Sequence, residues 1–536
     1  MARLTEKLRL ARDHENVTDE PDWVVLDLRG TYPAHRSDPM QALLQRGESL
    51  EGLTARLDKI GKASWVAGVL VRVSDLHAGL ATAHAIGQAL ARLARRKRVV
   101  GYVPQVTMRT LLVTASLTEV VAPESAEVRL PGFAAEQVFF GAFLARHGVS
   151  FENLRIREYK SALTQFSQDH MDEYEREQLS AYLDSAEQNW LADIAAVRGV
   201  GDARAREWFD AEFTSAAQLL EAGLITRVAF DDEIVTPMDQ HWGRTLELMT
   251  PRLPTKRIGG KADGITVVPV HGAIVSGRSR GTPPVPFMTG PLAGSDTVVA
   301  ALRRADRDEH TKAIVLYVDS GGGSALASDV ICRAVVQADK PVVAVMGEVA
   351  GSGGYYVLAR ADHVVASPYT LTGSIGVVVG KPVLTEFNEN HGLNPETVGR
   401  EKALFSSPNR AFSESDRDWA ERMMNDVYDR FVGHVATGRG LSTEQVDEIG
   451  RGRIWSGADG ERIGLVDELG DIDTGVTVAR RLAGLDEDAP VRTASGGFTL
   501  PGAPALGKGV AATLAGLWPF GQEQVLTWFD QSVTIR

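Results

Sequence analysis

Cysteine is almost absent: among 536 residues only Cys332 carries a thiol. A single cysteine excludes an intrachain disulfide and any metal site built on several thiolates. Its surroundings, Ser328-Asp329-Val330-Ile331-Cys332-Arg333-Ala334-Val335-Val336, read as helix, so Cys332 is expected in a core rather than as a reactive thiol. Long apolar runs are also lacking. Residues 1–17 are charged without an apolar centre, and no later run reaches ~18 uninterrupted apolar residues, so neither a signal peptide nor a spanning helix is expected. Positive charge is in deficit. The formal net charge of −13 disfavours nucleic acid as a partner and gives no general attraction to anionic lipid. The expectation is a cytoplasmic protein with no metal and no cofactor. One stretch stands apart: residues 510–529 carry Leu514, Leu517, Trp518, Phe520, Val525, Leu526, Trp528 and Phe529, interrupted by Pro519 and Gly521. It is expected to pack on the body, the other option being peripheral contact with the inner face of the membrane.

What is present is a repeat. Trp23-Val24-Val25-Leu26-Asp27-Leu28-Arg29-Gly30 resembles Thr266-Val267-Val268-Pro269-Val270-His271-Gly272, and Val69-Leu70-Val71-Arg72-Val73-Ser74-Asp75 matches Ala313-Ile314-Val315-Leu316-Tyr317-Val318-Asp319. The segment starting at Arg98 matches that starting at Pro341, Glu119-Val120-Val121-Ala122 matches His363-Val364-Val365-Ala366, and Ala222-Gly223-Leu224-Ile225 matches Ile463-Gly464-Leu465-Val466. The offset stays near ~240 residues throughout, the mark of two homologous domains. They are placed at 20–231 and 265–490, with a polar linker at 232–264 containing Pro237, Pro251 and Pro254, and a tail at 491–536. Short apolar strands alternate with amphipathic helices in each half, which predicts an α/β fold with a largely parallel sheet. Helices are predicted over 172–198, 329–338 and 414–439.

The halves differ where chemistry is expected. Val342-Val343-Ala344-Val345 reads as a buried strand, followed by the turn Gly347-Glu348-Val349-Ala350-Gly351-Ser352-Gly353-Gly354 and a short helix from 355 to 360. Glycine lets a substrate approach the main chain, and a serine on such a turn can attack a carbonyl while nearby amides hold the oxyanion. The same turn without chemistry is the bland alternative. Carried back by the repeat offset, Ser352 falls on Met108, and Asp319-Ser320-Gly321-Gly322-Gly323-Ser324 falls on Asp75-Leu76-His77-Ala78-Gly79-Leu80. The first half keeps the scaffold and lacks both glycine segments, which argues for function at Ser352. A serine nucleophile needs a base. His363, His391 and His434 carry no distinguishing motif, and Ala350 breaks the G-x-S-x-G elbow. A buried lysine is the other choice, because burial lowers an amine's pKa from ~10.4.

Several spaced stretches together resemble the signal peptide peptidase A family of serine–lysine peptidases in its long, doubled form. They are Asp319 to Ser324, Ala350-Gly351-Ser352-Gly353-Gly354-Tyr355, Leu371-Thr372-Gly373-Ser374-Ile375-Gly376, Glu158-Tyr159-Lys160-Ser161-Ala162 and Gly464-Leu465-Val466-Asp467-Glu468-Leu469-Gly470. The resemblance implies two tandem Clp protease/crotonase-like domains of repeated strand–strand–helix units, assembled as a homo-oligomeric bowl. It implies peptide substrates, such as signal peptide remnants or unfolded segments. It implies Ser352 as nucleophile, Lys160 from the first half as general base and Ser374 as the residue orienting the amine. The Gly353 amide and one from Gly322 or Gly323 would form the oxyanion hole. Three departures stand out. Gly321 replaces the family's usual proline, no N-terminal anchor is seen, and Lys402 occupies roughly the repeat position of Lys160 as an alternative base. A crotonase-like acyl-CoA enzyme and a non-catalytic oligomeric scaffold are the other function classes.

Overall fold

A computed structural model describes residues 22–33, 48–64, 66–230, 233–234, 262–281, 291–494, 525–528 and 534–535. Most of the predicted tail lies outside the described residues. Two compact units arise. Among the described residues, the first takes in those of 22–132 and 190–234, and the second those of 133–189 and 262–535. The segment Phe133–Asn189, which includes Lys160, therefore packs with the second unit although it belongs to the first half of the sequence.

The first unit is built on a five-stranded sheet in the order Asp22–Gly30, Val66–Leu76, Arg98–Tyr102, Glu119–Ala122, Arg227–Val228, every neighbouring pair parallel. Runs such as Val69-Leu70-Val71 are fully buried, as strands covered on both faces require. Helix Leu50–Lys62 starts at Ser49, whose hydroxyl accepts from the Gly52 N–H, and buries Leu53, Leu57 and Ile60 along one face.

The second unit repeats the same strand order. Gly264–His271, Thr311–Ser320, Val342–Gly351, His363–Ala366 and Glu468–Leu469 pair in succession, all parallel. Ile314, Val315, Leu316, Val343, Ala344 and Val345 are fully buried within it. The repeat thus extends from sequence to topology. Leu371–Gly373 branches off the Val342–Gly351 strand and pairs antiparallel with Ile454–Ser456. A further sheet runs in the order Arg280–Gly281, Pro291–Gly294, Ala273–Val275, Gly322–Ser324, Val525–Trp528, Val378–Val383, Ser150–Arg155.

Two helices begin earlier than expected. Ala325–Val336 begins four residues earlier than 329, because the Ser324 hydroxyl caps it by accepting from the Ala327 N–H. Gly353–Leu358 begins at the glycine pair itself rather than at 355. Glu414–Arg439 has the predicted bounds, with Ser413 and Asp416 forming a capping box and Gly440 leaving at a φ of 66°. Cys332 has no exposed surface, and burial pushes its thiol pKa up to about 12.

Candidate active site

Ser352 ends the Val342–Gly351 strand and caps helix Gly353–Leu358. Its backbone, at φ 53° and ψ −117°, lies where an L-residue carries a strain of ~1–3 kcal/mol. Its N–H donates to the Gly373 carbonyl at 2.8 Å, and its carbonyl accepts from the Tyr356 N–H at 2.8 Å, so the turn is held from both sides. Positive φ in non-glycine residues is concentrated in this neighbourhood: Leu163, Ser352, Ser374 and Arg451 account for four of the five described cases.

The Lys160 Nζ lies 2.6 Å from the Ser352 Oγ, 3.0 Å from the Ser374 Oγ and 3.0 Å from the Ser374 carbonyl oxygen. Lys160 and Ser352 have no exposed surface, and Ser374 is 1% exposed. Burial pushes the Lys160 pKa well below its ordinary value. A neutral amine has two N–H groups and one lone pair. The two Ser374 oxygens can accept the N–H groups, which leaves the lone pair for the Ser352 hydroxyl proton.

The lysine backbone is clamped by residues that have no prominence in the sequence. Gln178, 1% exposed, donates through Nε2 to the Tyr159 carbonyl and the Ser161 hydroxyl, and accepts at Oε1 from the Ile454 N–H. Gly452 donates to the Ile375 carbonyl and has a φ of +83°; a Cβ there would lie 2.5 Å from the Lys160 Cα. The Ser374 N–H donates to the Arg453 carbonyl at 2.7 Å, and the Arg453 guanidinium stacks on the Tyr159 and Trp455 rings. The signals a sequence offers for them are a turn at Gly450-Arg451-Gly452-Arg453 and a glutamine among the buried residues of helix Glu173–Arg198. Neither has the spacing of a motif.

Gly353 is the first residue of its helix, so its N–H has no partner within that helix. The Gly322 N–H donates to the Ser320 hydroxyl, which in turn donates to the Gly272 carbonyl. Gly323 sits in register with Ile274 and Thr527, and a Cβ at Gly323 would meet the Ile274 carbonyl oxygen at 2.1 Å. Lys402 is exposed in the 3-10 turn Glu401–Leu404. The histidines are engaged elsewhere: His363 with Glu468, His434 with Asp329, and His391 with the Phe387 carbonyl. Among the described residues no group of His, Cys, Asp and Glu is placed to hold a metal ion, and no helix is long and apolar enough to cross a membrane.

A strained serine against a buried lysine, on a doubled α/β scaffold, is an arrangement suited to acyl transfer without a histidine. Comparison with known proteins identifies the class. The description "Peptidase family S49" matches residues 91–244 and again 334–486, together more than half of the chain and once in each sequence half. The chain belongs to this family and is a serine peptidase. It is 28% identical over 477 residues to the chloroplastic serine protease SPPA of Arabidopsis thaliana, covering 86% of this chain and 69% of that one. It is 27% identical over 466 residues to Protease 4 of Haemophilus influenzae, covering 82% and 73%. It is 31% identical over 380 residues to Protease 4 of Salmonella typhi, covering 67% and 60%. A solved structure of a ClpP1 point mutant from Listeria monocytogenes matches 39% of this chain and 94% of its own at 15% identity, with a TM-score of 0.25, too low to carry weight.

Proposed function

We propose that this serine peptidase works through a Ser352–Lys160 dyad on extended peptide segments, among them signal peptide remnants and unfolded stretches of protein. The observation that carries this reading is the 2.6 Å approach of the Lys160 Nζ to the Ser352 Oγ in a dry site with the lysine pKa depressed. Neutral Lys160 takes the Ser352 proton as Oγ attacks the scissile carbonyl, then returns it to the leaving amine. Water, deprotonated by the same amine, releases the acyl group. Ser374 fixes the amine rotamer. The Gly353 N–H and one from Gly322 or Gly323 face the developing oxyanion. In this reading Lys402 takes no part. The protein acts inside the cell, in contact with peptide rather than nucleic acid, at most peripheral to the membrane, and as a homo-oligomer. Hydrolysis of casein and of a fluorogenic peptide by wild type and Ser352→Ala is the direct test. A serine-directed phosphonate should label Ser352 alone, and equal turnover by the variant would sink the proposal. Light scattering on the purified protein checks the assembly, where a monomeric mass would remove the homo-oligomer from the reading.

A further inference from the structure

The two strands that lead to Ser352 and to the glycines at 321–323 do not stay in step to their ends. Thr311–Ser320 and Val342–Gly351 pair in unbroken parallel register from Ile314 opposite Val342 to Val318 opposite Met346, and the next pair is Ser320 opposite Ala350. Asp319 alone therefore faces Gly347, Glu348 and Val349, a bulge in a parallel pair, where bulges are rare. In unbroken register Ser320 would face Glu348 instead. The bulge thus brings Ser352 two residues closer to the level of Ser320, ~7 Å at ~3.3 Å of strand per residue. As a result Gly322 and Ser352 each lie two residues beyond the pair of Ser320 and Ala350. In the first repeat, the described pairing runs without a shift from Gly68 opposite Arg98 and ends at Arg72 opposite Tyr102.

Side chains hold the bulge where the ladder is interrupted. The Val349 N–H donates to the Asp319 Oδ1 at 3.2 Å, and the Gly347 carbonyl accepts from the Thr370 hydroxyl at 2.7 Å. The other carboxylate oxygen of Asp319 lies 3.4 Å from the Nδ1 of His271, the residue opposite it on the neighbouring strand. Gly347 leaves room for this side chain: a Cβ there would lie 2.8 Å from the Asp319 Cβ and Cγ. Past the bulge there is no slack, since a Cβ at Gly354 would collide with the Ser320 carbonyl. We propose that Asp319 is a positioning residue for the nucleophile. Its carboxylate replaces the missing ladder partner of Val349, and so fixes the two-residue offset that sets Ser352 level with the oxyanion glycines. The proposal deepens the peptidase reading and rests on it for the kinetic effect, while the clamp itself rests on geometry. Asp319 acts through the backbone, so its loss is expected in turnover rather than in binding. Misplacing an attacking atom by about 1 Å costs on the order of 100-fold.

Asp319→Ala should lower kcat for a fluorogenic peptide by about 100-fold, with KM within about twofold of wild type. Asp319→Asn keeps an oxygen for the Val349 N–H and should recover at least about tenfold of that loss. Asp319→Leu, of similar size and without an acceptor, should recover none. Gly347→Ala drives a Cβ into the same carboxylate and should lower kcat as Asp319→Ala does. The double variant should fall no further than the worse single one, as expected of two residues in contact. Hydrogen exchange supplies an arm that needs no catalysis. In the unmodified protein the Val349 amide should exchange as slowly as the strand amides of 343–346, and at least about tenfold faster in the Ser352→Ala, Asp319→Ala double variant than in Ser352→Ala. A loss confined to KM, Asp319→Asn no better than Asp319→Leu, additive losses in the Gly347 and Asp319 double variant, or a freely exchanging Val349 amide would each overturn the proposal. The last of these is read on the unmodified protein and decides the matter even where Asp319→Ala does not fold. Full turnover by Ser352→Ala would instead remove the peptidase reading, and the exchange arm would still support or overturn the clamp.

Discussion

The two repeats share their scaffold glycines and differ in their chemical ones. Gly30 and Gly272 close the first strand of each repeat at φ +80° and +81°, and Gly223 and Gly464 occupy matching late turns at +84° and +82°. The five-strand order is also common to both. At the nucleophile turn they part. In the second repeat the Val342–Gly351 strand runs directly into strained Ser352. In the first, Arg98–Tyr102 stops early, Gln105–Thr107 pairs instead with Glu127–Arg129, and Thr107 forms a capping box for helix Met108–Thr114. Met108 is buried in a relaxed first turn, its carbonyl accepting from the Trp190 indole. The difference teaches that this turn survives without strain where the serine is absent, and that strain accompanies Ser352 where it is present.

The sharpest way to break this comparison is to remove the nucleophile. Ser352→Ala should lower kcat by about 10⁴-fold or more with an unchanged melting temperature, while Met108→Ser in that background should restore nothing. Peptide turnover and phosphonate labelling check both. The lysines come next. Lys160→Ala should lower kcat by about 10³-fold, whereas Lys402→Ala should stay within about twofold of wild type. The reverse pattern would place the base in the second repeat.

The same lysine predicts two pH effects. Activity should rise with pH through the depressed pKa of Lys160, because only the neutral amine accepts the proton. Stability has a matching sign. Between the folded pKa and ~10.4 the unfolded chain carries the lysine proton and the folded chain does not, so unfolding free energy rises with pH in that window. Below the folded pKa both states are protonated and the slope vanishes. Lys160→Met should lack this contribution, as denaturant titrations of the two proteins across pH would reveal. A parallel pH dependence in both would mean that Lys160 is not the titrating group.

Smaller effects separate clamp from scaffold. Gly452→Ala forces a Cβ against the Lys160 backbone at a φ of +83°, and should cost ~1–3 kcal/mol together with most of the activity. Gly223→Ala meets no atom within 4 Å and has only the positive φ to overcome, so about 1 kcal/mol is expected, with activity retained. Thermal melts paired with kcat on the two variants measure the contrast. Equal loss of activity in both would show that Gly452 has no special relation to the lysine.

Much of this was legible in order along the chain. Apolar strand runs, the repeat, helix Glu414–Arg439 and the buried Cys332 follow from periodicity and composition, because each depends on neighbours in sequence. Ser352, Gly322, Gly323 and Gly353 stood out because glycine and serine gather there and in only one repeat, whereas Ser374 rested on family resemblance. Lys160 rested on family resemblance, since nothing local distinguishes a lysine with no exposed surface from a solvated one. Gln178 and Gly452 were silent for the same reason: their partners lie far away in sequence.

The sequence by itself determined the class of fold, the doubling and the turn that carries the serine, all consequences of local pattern and of which backbone conformations glycine admits. Only the tertiary structure decided three things. Phe133–Asn189 packs with the second unit, the Lys160 amine is stripped of water beside Ser352, and Val525–Trp528 lies between two strands of the sheet. Each depends on contacts between segments distant in sequence. Desolvation and strand pairing are properties of the assembled surroundings, which no window of neighbouring residues contains.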